Sequence, residues 1–128
     1  TSAWPYAHGP PHLGNIVSCL LSADIFSRFL RLDEQDVIYV TGSDEHGTPI
    51  EVKALELKIS PKKLTDKVHN QILEILKGFN IKPDNYTRTH NNIHIEYVRD
   101  IFMKIFNNGY IFTKTDKVLF CPHDKIYL

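Results

Sequence analysis

Two short stretches hold the side chains whose types and spacing could do chemistry. In the first, Ser2-Ala-Trp-Pro-Tyr-Ala-His-Gly-Pro-Pro-His-Leu-Gly-Asn15, an apolar run breaks at Pro5 and passes through Gly9-Pro10-Pro11. At His12 it gives way to residues at helical spacing: Leu13, Ile16, Val17, Leu20, Leu21 and Ile25. This pattern predicts strand, turn and helix N-terminus. Unpaired amides and the positive dipole end at a helix start attract phosphate oxygens. His12 and Asn15 project on one side of the first turn, and Gly14 between them lets a flat ring or a phosphate approach the backbone. The second stretch, Gly42-Ser43-Asp44-Glu45-His46-Gly47-Thr48-Pro49, places a carboxylate and an imidazole in a polar loop. It follows the β-branched run Val37–Thr41, so it lies at the C-terminal end of a parallel strand, where open α/β sheets bind ligands.

The elements that must position these loops can be read in order. A first helix is expected from about Leu13 to Leu32, then the strand Val37–Thr41. A short helix follows from Pro49 to about Ile59. Ser60-Pro61 reads as an N-cap and first-turn proline opening a helix to about Phe79, with Leu64, Val68, Ile72, Ile75 and Leu76 on one face. Tyr86–Thr89 is a third strand. A helix starting near Asn92 should turn Ile93, Tyr97, Ile101, Phe102, Ile105 and Phe106 inward and end at Gly109. Strands alternating with helices imply right-handed crossovers and a parallel sheet. Beyond Gly109 the run Tyr110–Phe120 reads as two short strands around a Lys114–Lys117 turn, the opening of a second domain.

Composition bounds the rest. The chain has 128 residues, 42% of them hydrophobic, enough for one core of useful size. Fifteen basic and fifteen acidic side chains cancel, so a nucleic-acid surface cannot be argued from net charge. Cys19 and Cys121 form no disulfide framework, which suits a reducing cytoplasm, and Cys19 falls on an apolar helix face where a buried thiol is the ordinary outcome. No basic segment precedes an apolar run and no uninterrupted apolar stretch of about 18 residues exists, so neither export nor membrane spanning is expected. Both ends look cut, as in a piece of a longer chain.

His12-Leu13-Gly14-Asn15, preceded by Pro5-Tyr6-Ala7-x-Gly9, resembles the His-Ile-Gly-His signature of class I aminoacyl-tRNA synthetases. Asp44-Glu45-His46-Gly47-Thr48-Pro49-Ile50, Gly78-Phe79-Asn80-Ile81 and Asp84-Asn85-Tyr86 resemble the methionyl-tRNA synthetase family, and the likeness extends over essentially the whole chain. Asn15 as the last signature residue is similar to archaeal and eukaryotic members. The resemblance implies a Rossmann-like nucleotide-binding fold, a parallel sheet with flanking helices. Residues 1–109 would be the first half of that catalytic domain, and 110–128 the start of the connective-peptide insertion that carries zinc knuckles.

It also implies two steps in a cytoplasmic enzyme: activation of L-methionine by ATP, with Mg2+, to methionyl-adenylate, and transfer to tRNA(Met). His12 and Asn15 would be the catalytic residues and, with Gly14, the ATP-binding ones, as fixed donors for charge developing on phosphate. Asp44 would hold the α-ammonium, with His46 beside it, and Tyr6 would wall the thioether slot, an aromatic–sulfur contact worth about 0.3 to 1.5 kcal/mol. Two positions depart from the family pattern. Asn15 donates but carries no charge, shifting phosphate stabilisation toward His12 and the helix end. Trp4 stands where bacterial members more often have leucine, and either narrows the slot or packs behind Tyr6.

The family's second signature, Lys-Met-Ser-Lys-Ser, is absent from these residues; Ser60-Pro61-Lys62-Lys63-Leu64 is better explained as a capped helix start. Cys121-Pro-His123-Asp124 sits where relatives begin a Cys-x-x-Cys zinc pair, with Asp124 in the second cysteine position. Structural Zn2+ is thus expected for the longer protein, with Cys121 and Asp124 only a degenerate site. His90 and His94 have metal-ligand spacing, but no Glu follows His90 and surface histidines at a helix end explain them. Two other readings stay open: another adenylyl or nucleotidyl transferase of the same superfamily, which would not need the 44–47 loop, and a non-catalytic nucleotide-binding module.

Overall fold

The computed structural model describes residues 1–123 and 126–127. Contacts divide the chain into two compact units, Thr1–Ile95 and Glu96–Leu128. The first contains every buried residue among those described. The division thus falls within a helix and ahead of the residue 109 boundary expected from sequence.

In the first unit, helix α1 runs continuously over Leu13–Leu32, with α-helical geometry at Leu13–Asn15 and Ser22–Leu32 and a π-helical segment, Ile16–Leu21, between them. Strand β1 (Val40–Ser43) is followed by helix α2 (Thr48–Glu56), helix α3 (Pro61–Gly78) and strand β2 (Asn85–Arg88). The β1–β2 pair is parallel, Val40 opposite Asn85 through Ser43 opposite Arg88. The expected first strand reduces to a parallel bridge between Tyr6 and Asp44, because Pro5 has no amide to donate and Gly9-Pro10-Pro11 ends the run. Even so, Asp44 N–H donates to Pro5 O at 2.9 Å and Ala7 N–H to Asp44 O at 2.7 Å, so this segment flanks β1 on the side away from β2. Gly42 lets the three adjacent segments come together: a Cβ there would meet Thr87 O at 2.6 Å and the Trp4 ring at 2.7 Å.

The core joins Ala7, Ile16, Leu20, Tyr39, Ile50, Ala54, Leu64, Val68, Ile72, Leu76 and Ile81. Helix α3 contributes most, and its start matches the sequence: Ser60 Oγ accepts from Lys63 N–H at 3.2 Å, with Pro61 in the first turn. Helix α1 departs from expectation. Only Ile16 and Leu20 of its apolar set are buried, while Leu13, Val17 and Ile25 are exposed. The buried positions continue with Asp24 and Ser27, which share the helix face of Ile16 and Leu20 at 3.6 residues per turn, whereas Ile25 lies opposite Ile16. Asp24 is used: it accepts from Arg28 at 2.6 Å and from Lys82 N–H at 2.8 Å, and Arg28 also donates to Asn80 O. By length and composition α1 could cross a membrane. Its buried carboxylate, bonded to the 80–82 turn, instead makes it one wall of this unit.

Helix α4 (Asn92–Asn107) crosses the unit boundary and has no buried residue. Its expected inward face is therefore corrected: Ile93 and Tyr97 are largely exposed, as are Phe102 and Phe106, which stack on each other with ring centroids 6.4 Å apart. In the second unit no strand forms over 110–119; β3 (Phe120–Cys121) pairs antiparallel with β4 (Ile126–Tyr127). Lys114 and Asp116 form a local ion pair at 3.0 Å instead of a hairpin turn. β-Propensity over 110–119 has no packed face to act on.

Candidate active site

The two polar loops emerge side by side at the C-terminal ends of the parallel strands, joined by the Tyr6–Asp44 bridge. His12 has extended backbone (φ −78°, ψ 165°) and caps α1, its Nδ1 accepting from Asn15 N–H at 3.3 Å. A lone pair so engaged leaves Nε2 as the N–H donor of the neutral ring. Gly14 is required by this cap: a Cβ there would lie 2.9 Å from His12 Cε1 and 3.0 Å from Nδ1. The ring that approaches the Gly14 backbone is thus the protein's own imidazole.

His12 and Asn15 border a cleft of about 260 Å3 together with Trp4, Tyr6, His8 and Cys19. Cys19 is half-buried on the wall of this cleft and not in the core, a correction to the ordinary reading. No carboxylate lines this cleft. Trp4 packs over Gly42, its Nε1 donates to Thr1 Oγ1 at 3.3 Å, and its side chain lines the cleft.

Tyr6 connects the loops. Its hydroxyl donates to His46 O at 2.9 Å, and burial, reinforced by the Asp44 carboxylate, pushes its phenol above the ordinary value. Gly47 makes room for that contact. Its φ of 132° and ψ of 161° lie where L side chains are strained, and a Cβ there would overlap the Tyr6 hydroxyl oxygen. His46 opens on a smaller depression of about 120 Å3 shared with Glu51, Lys62 and His90, its Nε2 lying 3.4 Å from His90 Nδ1. Asp44 is half-buried at the junction and borders neither hollow. Trp4, Tyr6, His12 and Asn15 thus line one cleft, Gly14 lies against the His12 ring, His46 lines the second hollow, and Asp44 sits at the junction of the two loops, bordering neither.

Behind the rim lies a set of charges that sequence reasoning missed. The Glu45 side chain is fully buried. Its Oε1 accepts from Ser43 Oγ and its Oε2 from Arg88 Nε, both at 2.8 Å, while Arg88 Nη2 donates to Asp66 at 2.7 Å. Lys62 first, and then Arg88, hold the Asp66 carboxyl below the usual range. His69 Nδ1 lies 2.7 Å from Ser43 Oγ. Since Ser43 donates to Glu45, His69 Nδ1–H is the donor in that contact. Burial, with Arg88 nearby, lowers the His69 pKa below 6.5. Its ring stacks on Tyr86 with centroids 4.8 Å apart. Burial pushes the Tyr86 phenol up to about 12, and its oxygen has no hydrogen-bond partner among the described residues.

No group of three or more His, Cys, Asp and Glu that could hold a metal occurs among the described residues. Cys121 is half-buried on β3, and Asp124, the other residue of the degenerate zinc pair expected from sequence, lies outside the described residues. His90 precedes α4, whose first turn is fixed by His94 N–H donating to Asn91 Oδ1 at 2.9 Å.

A helix opened by His12-Leu13-Gly14-Asn15, at the rim of a parallel α/β sheet, is the architecture of class I tRNA synthetase catalytic domains. The family described as tRNA synthetases class I (M) matches residues 1–128, and the chain belongs to that family. It is 60% identical over 127 residues to a methionine–tRNA ligase of Caldivirga maquilingensis and 56% identical to one of Ignicoccus hospitalis. These alignments cover 99% of this chain but 22% and 23% of the two relatives, so the chain spans about a fifth of their length. Among solved structures it is similar to Mycobacterium tuberculosis methionyl-tRNA synthetase in complex with methionyl-adenylate: TM-score 0.86, 25% identity, 98% of this chain and 25% of that one. A second structure of that enzyme, bound by methionyl-adenylate, gives TM-score 0.79 at 27% identity over 84% of this chain and 21% of the other.

Proposed function

We propose that this chain supplies the amino-acid- and nucleotide-binding half of a cytoplasmic methionine–tRNA ligase, which activates L-methionine with ATP and passes the methionyl group to tRNA(Met). The observation that carries the reading is the Tyr6–Asp44 bridge, which brings the helix-opening signature and the acidic loop to one rim. Relatives at 56–60% identity bear the ligase name, and the similar solved structures hold methionyl-adenylate. Residues 1–109 act as the first catalytic half and 110–128 open the insertion.

In the first step a methionine carboxylate oxygen bonds to the α-phosphorus of ATP and the bond to the β-phosphate oxygen breaks, releasing pyrophosphate. His12 Nε2–H, the Asn15 carboxamide and the amides at the α1 start stabilise the negative charge that accumulates on the phosphate. Neither side chain acts as a base. Asp44 pairs with the α-ammonium, His46 flanks it, and Tyr6 with Trp4 walls the thioether slot. Because the cleft has no carboxylate, Mg2+ enters with the nucleotide and is not held by side chains of this cleft. The exposed apolar face of α1, Val17, Ile25, Phe26 and Phe29, is the surface on which the other half of the catalytic domain would rest.

Methionine-dependent ATP–pyrophosphate exchange by the full-length protein tests the reading. Exchange supported by methionine and abolished by Asp44→Ala is the expected result. Exchange driven by another amino acid, or none with methionine, would overturn it.

A further inference from the structure

Glu45 lies between two proposed ligands of the amino acid, yet it points the other way. In extended chain, successive side chains alternate, so burying Glu45 inward turns Asp44 and His46 outward. The burial is costly: a carboxylate removed from water requires an opposite charge and filled lone pairs, and an apolar side chain of similar size would pack there without that cost. Glu45 meets the requirement with both oxygens, Oε1 on Ser43 and Oε2 on Arg88. Arg88, at the end of β2, bonds in turn to Asp66 on α3, so the anchor is tied to two elements. From the next residue, Thr89, Oγ1 accepts from the Glu45 N–H at 2.8 Å and lies 3.4 Å from Asp44 Oδ1. Thr89 N–H donates to Ser43 O at 3.0 Å, closing the loop against the strand end.

We infer that Glu45 is a positioning residue: anchored inward on Ser43 and Arg88, with its amide held by Thr89, it fixes the direction in which Asp44 and His46 face the amino acid. This rests on the ligase reading above. An anion held from two sides specifies the loop geometry more narrowly than an apolar plug would, because each of its oxygens has a fixed donor.

The test is ATP–pyrophosphate exchange by the full-length protein, with methionine and ATP each varied at saturating concentration of the other. Glu45→Gln keeps the shape and weakens the Arg88 pair. It should raise the methionine KM by roughly ten- to hundredfold, as a small misplacement of a binding group does, and leave the ATP KM within about twofold. Thr89→Val should act in the same direction and Thr89→Ser should restore the methionine KM. An unchanged methionine KM in both Glu45→Gln and Thr89→Val, parallel increases in both KM values, or failure of serine to rescue would overturn the inference. If Glu45→Gln does not fold, the Thr89 pair decides alone. A wild-type protein that exchanges no pyrophosphate with methionine overturns the ligase reading first, and is distinguished from a failed inference by that control.

Discussion

Replacing Gly47 by alanine tests whether the two loops are held together in the way the geometry indicates. At φ 132° and ψ 161° an alanine meets backbone strain of roughly 1–3 kcal/mol. Its Cβ would also displace the Tyr6 hydroxyl from His46 O, a hydrogen bond worth about 1 kcal/mol net. The sum, about 2–4 kcal/mol, falls first on the 44–47 loop and its Tyr6 contact. Native-state hydrogen exchange on the full-length protein reads this locally. The amides of Ala7 and Asp44, bonded across the bridge, should exchange roughly thirty- to several-hundredfold faster, with α3 unchanged. A double-mutant cycle isolates the clash. In a Tyr6→Phe background the offending oxygen is gone, so Gly47→Ala should cost about 1 kcal/mol less than in wild type. Additive effects, or a Gly47→Ala protein whose loop exchanges at the wild-type rate, would refute the latch.

Two further outcomes follow from the same contacts. Gly14→Ala should push the His12 ring off the Asn15 amide at little cost in melting temperature, because the atoms displaced are the end of a surface side chain. Methionine activation should nevertheless fall by roughly 10²-fold, measured as kcat/KM for pyrophosphate exchange. His69 gives the pH dependence. Its folded pKa lies below 6.5, so the unfolded chain binds the proton more tightly; the contribution is complete above about pH 6.5 and is lost as pH falls through that value toward the lowered one. Melting temperature should therefore decline between pH 7 and 5, and more steeply than in His69→Gln, with Glu45, Asp66 and Arg88 facing the ring unchanged. Identical slopes in the two proteins would exclude His69 as the source.

What the sequence made legible is what local rules dictate. Ser60-Pro61 marked the start of α3 because capping and the proline φ are decided within one turn. The His12-to-Asn15 helix opening and both parallel strands were legible too, with the first moved from 37–41 to Val40–Ser43 and the second from 86–89 to Asn85–Arg88. Burial on α1 was not. Apolar type placed Ile25 inside, but at 3.6 residues per turn it lies opposite Ile16, and the buried face continues instead through the polar Asp24 and Ser27. The Glu45–Arg88 pair escaped because it joins residues 43 positions apart, and no short-range pattern encodes that. The alternation of Glu45 against Asp44 and His46 was the available signal. The inward face expected of α4 failed because periodicity shows that a face is apolar, not what covers it.

The most direct measurement is a structure of the full-length protein with a non-hydrolysable methionyl-adenylate analogue. The account requires the ammonium within hydrogen-bond distance of Asp44, the thioether against Tyr6, and the phosphate beside His12 and Asn15 at the α1 start. An analogue bound with its phosphate away from that helix end, or its ammonium out of reach of Asp44, would contradict it.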